Sequence, residues 1–181
     1  MTVLYIFYGD HKGRKDELLQ RAAEDYAGPE AGGAVVTRTE EGKPFFLGLP
    51  LSFSVSHTEG VWGCAISDSE VGIDVQVKRR VDFKKLAARF FLPSEAEYVA
   101  EKGLDGFFDI WTRKEACVKY HGTGLVKNIR WFSTVTDGKL AETIDFRGGI
   151  CHVRSFDLSD EVKCAYCCKT GGAGLWVREL R

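Results

Sequence analysis

Proline is scarce in this sequence, net charge is almost absent, and no hydrophobic run is long. Only 4 of the 181 residues are proline, whereas 44% are hydrophobic and 12% are aromatic. This composition excludes a disordered tail protein, a collagen-like repeat and a low-complexity scaffold. The 25 Lys and Arg residues against 26 Asp and Glu residues leave a net charge of -1. The field of the whole molecule therefore favours neither nucleic acid nor a membrane surface.

The amino-terminal region also lacks a targeting signal. Its apolar residues 3–8 are too few for a signal core or a membrane span, no basic residue precedes them, and no small-residue cleavage site follows. We therefore expect a cytoplasmic protein whose thiols are reduced and buried. The cysteines are Cys64, Cys117, Cys151, Cys164, Cys167 and Cys168.

The first part of the chain predicts a strand, a helix and then further strands. Thr2–Tyr8 is rich in β-branched and aromatic residues, as strands are. Lys15–Ala27 carries apolar residues at helical spacing. Apolar and polar residues alternate with a period of two over 51–57 and Val71–Val77, and 61–66 is a continuous apolar run, so three more strands are expected.

The second part of the chain predicts a strand, helices and then strands. Residues 82–91 form one predicted helix, and Ser94 with Glu97 three positions later resembles a capping box that opens the next. Residues 106–121 form a longer predicted helix, and 129–180 has short strands with turn signals. This order predicts an α+β fold of two similar halves that meet near residue 70.

Two carboxylates stand out because of the elements that carry them. Asp74 lies on the polar face of an otherwise apolar strand, where a lone buried carboxylate is costly unless a cation or hydrogen bonds compensate it. Trp111, Glu115 and Lys119 form one stripe on the long predicted helix, with Lys114 beside them. On local evidence, a strand-end carboxylate that accepts backbone hydrogen bonds is the better explanation of Asp74. A Glu115–Lys119 surface pair is the alternative on the helix, although its aromatic and apolar neighbours favour a packed face, and the spacing alone does not establish a site.

Two short segments contain groups that can bind phosphate. Ser56, His57 and the backbone N–H groups after them lie at the end of a predicted strand and can bind an anion. Lys43 lies between Gly42 and Pro44, which suits a phosphate contact as well as an exposed turn. An ordinary strand-end histidine and an ordinary turn are the alternatives.

The spacing Cys164-x-x-Cys167-Cys168 is compatible with a zinc site. However, no second pair of ligands stands at a useful spacing, and the alternation of Val162, Cys164, Tyr166 and Cys168 is typical of a strand. We therefore expect a strand here. A structural zinc module is the alternative, and it predicts stoichiometric zinc in the purified protein.

Five motifs in this order resemble those of the 4′-phosphopantetheinyl transferase family, in particular its surfactin-synthetase-activating type. The resemblance covers about residues 42–125, and the order and spacing of the motifs carry it. The motifs are Gly42-Lys43-Pro44, Phe53-Ser54-Val55-Ser56-His57, Val71-Gly72-Ile73-Asp74, Trp111-x-x-Lys114-Glu115-x-x-x-Lys119 and Gly122-Thr123-Gly124-Leu125.

The resemblance implies a pseudo-twofold α+β fold whose halves, 1–69 and 70–181, enclose an active site in the cleft between them. Enzymes of this family, holo-[acyl-carrier-protein] synthases among them, transfer the 4′-phosphopantetheine arm of coenzyme A to a serine hydroxyl of an acyl or peptidyl carrier protein. They serve fatty-acid, polyketide and nonribosomal-peptide biosynthesis and release adenosine 3′,5′-bisphosphate. The implied cofactors are Mg²⁺ and coenzyme A, and two halves in one chain make a monomer sufficient.

The resemblance also implies roles for individual residues. Asp74 and Glu115 are expected to hold Mg²⁺, which prefers carboxylate, phosphate and water oxygens. Glu115, directly or through a metal-bound water, is the candidate general base, and Lys119 would stabilise charge on phosphate oxygens. The residues expected to bind coenzyme A are Lys43, Pro44, Ser56, His57, Lys114, Lys119 and Arg14.

Gln76 departs from the family pattern, because many members have Glu two residues after the strand aspartate. It shares a face with Asp74, so we expect it to offer the metal a neutral oxygen or a bound water and to weaken metal binding. A non-catalytic module that binds coenzyme A or a carrier protein is the alternative function, although Asp74, Glu115 and Lys119 favour an enzyme. The basic run at 78–85 is either a solvated face or a contact for an acidic carrier.

Overall fold

The computed structural model describes residues 1–123, 129–169 and 174–181. In this part of the chain, the helices are α1 (Lys15–Ala27), α2 (Phe83–Phe90) and α3 (Pro93–His121), with a 3₁₀ helix at Pro29–Gly33. The strands are β1 (Thr2–Tyr8), β2 (Val36–Arg38), β3 (Pro44–Phe46), β4 (Ser52–Thr58), β5 (Val61–Ser67), β6 (Val71–Val77), β7 (Val135–Thr136), β8 (Lys139–Leu140), β9 (Thr143–Phe146), β10 (Gly149–Ser159), β11 (Val162–Cys168) and β12 (Leu175–Glu179).

Eight of these strands form two four-stranded sheets. The first has the order β12-β1-β5-β4 and the second the order β6-β11-β10-β9. All neighbours run antiparallel except β1 and β12, which are parallel, with Thr2 opposite Leu175. The mixed α/β architecture expected from the sequence is therefore confirmed.

The two sheets pack on each other, and each carries a helix on its outer face. The shared core contains Leu4 and Ile6 from the first sheet and Ile73 and Val75 from the second. On the outer side of the first sheet, the apolar face of α1, which includes Leu18, packs among aromatic residues. Burial of a side chain such as Leu18 stabilises the fold by about 1.5–3 kcal/mol.

Helix α3 covers the outer face of the second sheet and positions the candidate site. Ala116, Cys117 and Val118 of α3 pack with Ile144 and Val153 of the sheet. Among the described residues, none of the helices combines the length and the apolar character that crossing a membrane requires.

The start of α3 differs from the sequence prediction. Helix α3 begins at Pro93, and the carboxylate of Glu95 accepts the N–H of Leu92 at 2.9 Å. The capping box predicted from Ser94 and Glu97 is therefore wrong by two residues, because Leu92 and Glu95 take these positions. A single long helix replaces the two predicted ones, with a bend at Gly103, whose φ is 67°.

Candidate active site

Asp74 is the most deeply buried carboxylate of the predicted site, and three neighbours compensate it. Its side chain lies on β6 and the residue is 1% exposed. Oδ1 accepts hydrogen bonds from Ser56 Oγ at 2.7 Å and from Lys119 Nζ at 2.8 Å, and Oδ2 accepts one from Gln76 Nε2 at 3.1 Å. The cation and hydrogen bonds that a buried carboxylate requires are thus present.

A close approach of α3 to β6 brings Glu115 and Lys119 to Asp74. A Cβ atom at Gly72 would lie 2.1 Å from the carbonyl oxygen of Ala116, so glycine is required where the helix crosses the strand. Glu115 and Lys119 lie one turn apart on α3. The sequence stripe is therefore not a surface pair, because Lys119 bonds to Asp74 of the strand instead.

Glu115 is in an environment that favours its protonated form. Burial raises the pKa of Glu115 to about 7, the negative charge of Asp74 adds to that shift, and the positive charge of Lys119 opposes it. Two carboxylates thus lie close enough to interact. In the part of the chain that the structure describes, Lys119 is the ammonium group bonded to Asp74. Such a pair of carboxylates is a candidate site for a further cation.

Serine hydroxyls on β4 attach the edge of the first sheet to β6. Ser54 Oγ accepts the N–H of Ile73 at 3.1 Å, and Ser56 Oγ accepts the N–H of Val75 at 3.2 Å. The alternation of serines on β4 therefore satisfies backbone donors that face no partner strand. Since Ser56 also donates to Asp74 and is 4% exposed, the structure places it beneath Asp74.

A cleft of about 560 Å³ opens beside Glu115 and Lys119. Its size falls within the range of small-molecule pockets. The cleft is lined by residues of β4 in the first sheet, of the loop before β3, and of α3, which covers the second sheet. Elements of both sheet-and-helix layers therefore form its walls. Its charged lining residues are Lys15, Arg38, Lys43, Lys119, Glu41 and Glu115, and Pro44 and His57 also line it.

Lys43 lies in the wall of the cleft and links β3 to the end of α3. Its Nζ donates to the carbonyl oxygen of Tyr120 at 2.7 Å and forms an ion pair with Glu70. Its aliphatic part packs so closely against Gly122 that a Cβ there would lie 3.1 Å away. Gly124 and Leu125 of the same motif lie outside the described residues.

Lys15 is a cleft residue that sequence reasoning missed. Its Nζ lies 2.8 Å from Nε2 of His57, which lines the same wall. Burial lowers the pKa of His57, and the charges of Lys15, His11 and Lys119 lower it further. A neutral imidazole therefore accepts a hydrogen bond from Lys15. The only signal in the sequence was a lysine at the first position of α1.

Arg14 and Lys114 were expected at the site, but the structure does not bring them to it. Arg14 donates to Glu17 at 2.9 and 3.0 Å and lies over the ring of Phe7, outside the residues that line the cleft. It precedes Lys15 by one residue and therefore faces another side of the helix start.

The amine of Lys114 lies in the core. Lys114 is fully buried, donates to the carbonyl oxygens of Ile129 and Phe132 at 2.6 Å each, and forms an ion pair with Glu95 at 3.0 Å. Burial lowers the pKa of Lys114, and the charge of Glu95 opposes that shift. One residue along a helix is about 100° of rotation, so the neighbour of Glu115 faces away from the cleft.

The fold and the site together define a mixed α/β protein with a carboxylate pair beside a cationic cleft. The family model described as the 4'-phosphopantetheinyl transferase superfamily matches residues 70–167. The chain therefore belongs to the 4'-phosphopantetheinyl transferase superfamily.

Individual relatives agree with this assignment. The chain is 31% identical over 160 residues to a 4'-phosphopantetheinyl transferase of Bacillus subtilis. The matched region covers 84% of this chain and 70% of the relative. It is 34% identical over 99 residues to the 4'-phosphopantetheinyl transferase gsp of Aneurinibacillus migulanus, a match that covers 52% of this chain and 41% of the relative. It is 46% identical over 90 residues to the 4'-phosphopantetheinyl transferase AcpT of Salmonella typhi, a match that covers 46% of this chain and 47% of the relative. The chain thus spans less than half of the latter two relatives.

Proposed function

We propose that this chain transfers the 4′-phosphopantetheine group of coenzyme A to a serine hydroxyl of an acyl or peptidyl carrier protein. The observation that carries the proposal is the meeting of Asp74, Glu115 and Lys119 beside a cleft with cationic walls. The names of the relatives support the same activity. The second product is adenosine 3′,5′-bisphosphate.

The carboxylate pair fits a magnesium ion. Carboxylate oxygens are ligands that Mg²⁺ prefers. Burial and the negative charge of Asp74 raise the pKa of Glu115, as expected of two neighbouring carboxylates whose negative charge is not fully compensated. Asp74 and Glu115 would hold the ion, and Gln76, already hydrogen-bonded to Asp74, would offer an amide oxygen or a water. The ion would neutralise charge on the pyrophosphate of coenzyme A.

The residues of the chain supply the other requirements of the reaction. The serine oxygen forms a bond to the phosphorus that carries the pantetheine arm, and the bond from that phosphorus to the departing bisphosphate breaks. Glu115, directly or through a metal-bound water, would accept the serine proton. Lys119, 30% exposed at its side chain, stabilises charge on the phosphate oxygens.

The cationic walls bind the phosphates of the nucleotide. Lys15, Arg38 and Lys43 line the cleft together with Lys119, and His57 lies close enough to both Lys15 and Lys119 for their charges to lower its pKa, in addition to the larger effect of burial. Coenzyme A carries three phosphate groups, so several lysine and arginine contacts are expected to share its charge.

We further propose that the protein has two similar halves, 1–69 and 70–181, with the active site in the cleft between them. The first half supplies three strands of one four-stranded sheet and the second half all four strands of the other, and each sheet has a helix on its outer face, which supports the division. Strand β12 pairs with β1, so the second half contributes one strand to the sheet of the first. One chain supplies both walls of the cleft, which is why we propose a monomer. We also propose that the protein acts in the cytoplasm.

The test is incubation of the protein with coenzyme A, Mg²⁺ and an apo carrier protein, followed by intact mass measurement of the carrier. The carrier should gain one phosphopantetheine arm. Asp74→Ala and Glu115→Ala should slow the gain by roughly 100-fold or more, because each removes a charged group from the reacting centre.

Glu97→Ala is the matched control, because Glu97 is an exposed glutamate on the same helix and its loss should leave the rate unchanged. A wild-type protein that binds coenzyme A but leaves every tested carrier unmodified would instead support the non-catalytic binding module.

A further inference from the structure

Three cysteines from three elements meet outside the candidate active site. Cys117 lies on α3, Cys151 on β10 and Cys167 on β11. Their Sγ atoms all lie within 4.8 Å of one another, and each residue is 0% exposed. Cys164, which the local spacing had grouped with Cys167, lies in the core between the sheets instead.

His121 lies next to this group, outside the set of ligand atoms that are within 4.8 Å of one another, and offers a nitrogen as a fourth ligand. It follows Cys117 by four residues on α3 and therefore lies on the same face. Its Nε2 atom is buried and has no hydrogen-bond partner among the described residues. The ring nevertheless lies close enough to Cys151 to help lower the pKa of that thiol, after the larger effect of hydrogen bonds from Cys117 and Cys167.

The imidazole of His121 is held in place by its surroundings. Phe146 packs against it at an interplanar angle of 88° with 4.9 Å between the ring centroids. A Cβ atom at Gly149 would lie 3.4 Å from its Cε1 atom, so glycine leaves the ring just enough room. A buried, positioned ring whose Nε2 has no geometric hydrogen-bond partner among the described residues, and which interacts with the thiol of Cys151, is suited to bind a metal ion.

Arg113 gives the group a counter-charge. It precedes Cys117 by four residues, is 3% exposed, and donates to Ser155 Oγ at 3.2 Å and to the carbonyl oxygens of Ala141 and Val153. Among the described residues it forms no salt bridge, and its Nε has no hydrogen-bond partner. The charge of Asp109 acts on the guanidinium, but Asp109 is already paired with Lys163 at 3.0 Å. A buried guanidinium that lacks an anion of its own is costly, and deprotonated Cys117 and Cys167 beside it would supply one.

We propose that Cys117, Cys151, Cys167 and His121 bind one zinc ion in a tetrahedral structural site. Three thiolates and one imidazole are an established ligand set for structural zinc. A Zn–S distance of about 2.3 Å places tetrahedral sulfur atoms about 3.8 Å apart, so the three sulfur atoms need to approach one another by about 1 Å at most. The ring of His121 must move toward them to complete the site.

Charge balance favours the occupied state. Zinc with three thiolates carries a charge of -1, which the guanidinium of Arg113 offsets. Binding releases the protons of the thiols, so affinity should fall as the pH is lowered. The soft sulfur ligands favour zinc at this site, whereas the hard oxygen ligands proposed at Asp74 favour magnesium.

The site would connect α3 to the second sheet near the end of the helix. Cys117 and His121 flank Lys119 along α3, and Cys151 and Cys167 belong to neighbouring strands. A bound ion would thus hold the helix segment that carries Glu115 and Lys119. Removal of zinc is expected to lower the midpoint of thermal unfolding whether or not the protein is an enzyme.

The first measurement is the metal content of untagged protein by mass spectrometry of the elements after gel filtration. One zinc per chain is expected. Apo protein titrated with Co²⁺ should develop the intense thiolate-to-cobalt charge-transfer band of a multi-thiolate site. This spectrum needs no variant, so it decides the proposal even if a cysteine variant does not fold.

The matched variants are Cys151→Ser and Cys164→Ser. Cys151→Ser should weaken zinc binding by roughly tenfold or more, since even outer partners of zinc ligands are worth that much. Cys164 is equally buried but lies in the other core, so Cys164→Ser should keep full zinc content.

Two results would overturn the proposal. One is wild-type protein that holds no stoichiometric zinc and gives no cobalt charge-transfer band. The other is a disulfide within the group, seen as four instead of six reactive thiols in the denatured, unreduced protein. Either result is independent of whether the carrier protein is modified.

Discussion

At the scale of single residues, Glu115 makes stability depend on pH. Its pKa is raised from 4.5 to about 7 in the fold, so the native state holds this proton more tightly than the unfolded state. The free energy of unfolding therefore falls as pH rises from about 4.5 to 7, and the loss is complete above that range.

Glu115→Gln should remove this dependence. In EDTA at pH 8, we expect the free energy of unfolding of the variant to be about 1–3 kcal/mol higher than that of wild type. At pH 4 the free energies of unfolding of the two proteins should be nearly equal. Urea unfolding across this pH range measures the difference, and the contribution of His57 cancels because both proteins contain it. Equal pH slopes for the two proteins would contradict the environment described for Glu115.

Lys114 and Lys119 form a natural pair for separating folding from function. Lys114→Ala leaves the carboxylate of Glu95 buried without its cation and should lower the free energy of unfolding by about 3–5 kcal/mol. Lys119→Ala leaves the buried carboxylate of Asp74 with hydrogen bonds from Ser56 and Gln76 but without its cation. It should therefore cost less, about 1–3 kcal/mol, but should reduce carrier modification strongly.

Urea unfolding and the transfer rate of each lysine variant are the measurements. If Lys114→Ala were as stable as wild type and failed only in the transfer reaction, Lys114 would belong to the site after all. The sequence could not distinguish the two lysines by motif, because the phase of α3 relative to the sheet decides which of them faces the core.

At the scale of elements, the crossing of α3 over β6 positions the site. Gly72→Ala places a methyl group against the backbone of α3, so the helix must move away from the strand. We expect the variant to lose about 1–3 kcal/mol of stability and to lose transfer activity as well, since Glu115 and Lys119 move with the helix.

Gly33→Ala is the control for this substitution. A Cβ atom at Gly33 would meet nothing within 4 Å, and the residue is exposed. Thermal unfolding and transfer rates of both variants test the prediction. Wild-type behaviour of Gly72→Ala would show that the helix and the strand do not need their close approach.

Much of the element pattern could be predicted because it is local. The bounds of β1, α1 and β6 follow directly from periodicity and turn signals. Contacts between distant elements could not be predicted in this way. Cys164 and Cys167 have zinc-like spacing, but the period of two in a strand turns them to opposite faces. The partners of Cys167 come from α3 and β10.

At the scale of the whole molecule, a net charge of -1 conceals a separation of charges. Four basic side chains and two acidic ones line the cleft, so a polyanionic ligand is attracted locally although the protein as a whole is nearly neutral. The KM for coenzyme A should therefore rise several-fold between 50 mM and 500 mM NaCl, because salt screens partly exposed charges.

Lys15→Ala should raise KM at low salt and flatten this dependence, whereas Lys12→Ala, an exposed lysine outside the lining of the cleft, should not. Initial rates over a salt series test both statements. A KM that is independent of salt in wild type would argue against phosphate binding by the cationic walls.

The pairing of β1 with β12 has a consequence for the order of events during synthesis on the ribosome. Strand β1 is made first, but one of its edges stays open until residues 175–179 have emerged. Residues 2–67 therefore cannot complete their sheet before residues 175–179 have been made. Folding of this protein is expected to finish only after translation has passed the second sheet, and chaperones that shield open strand edges would act in that interval.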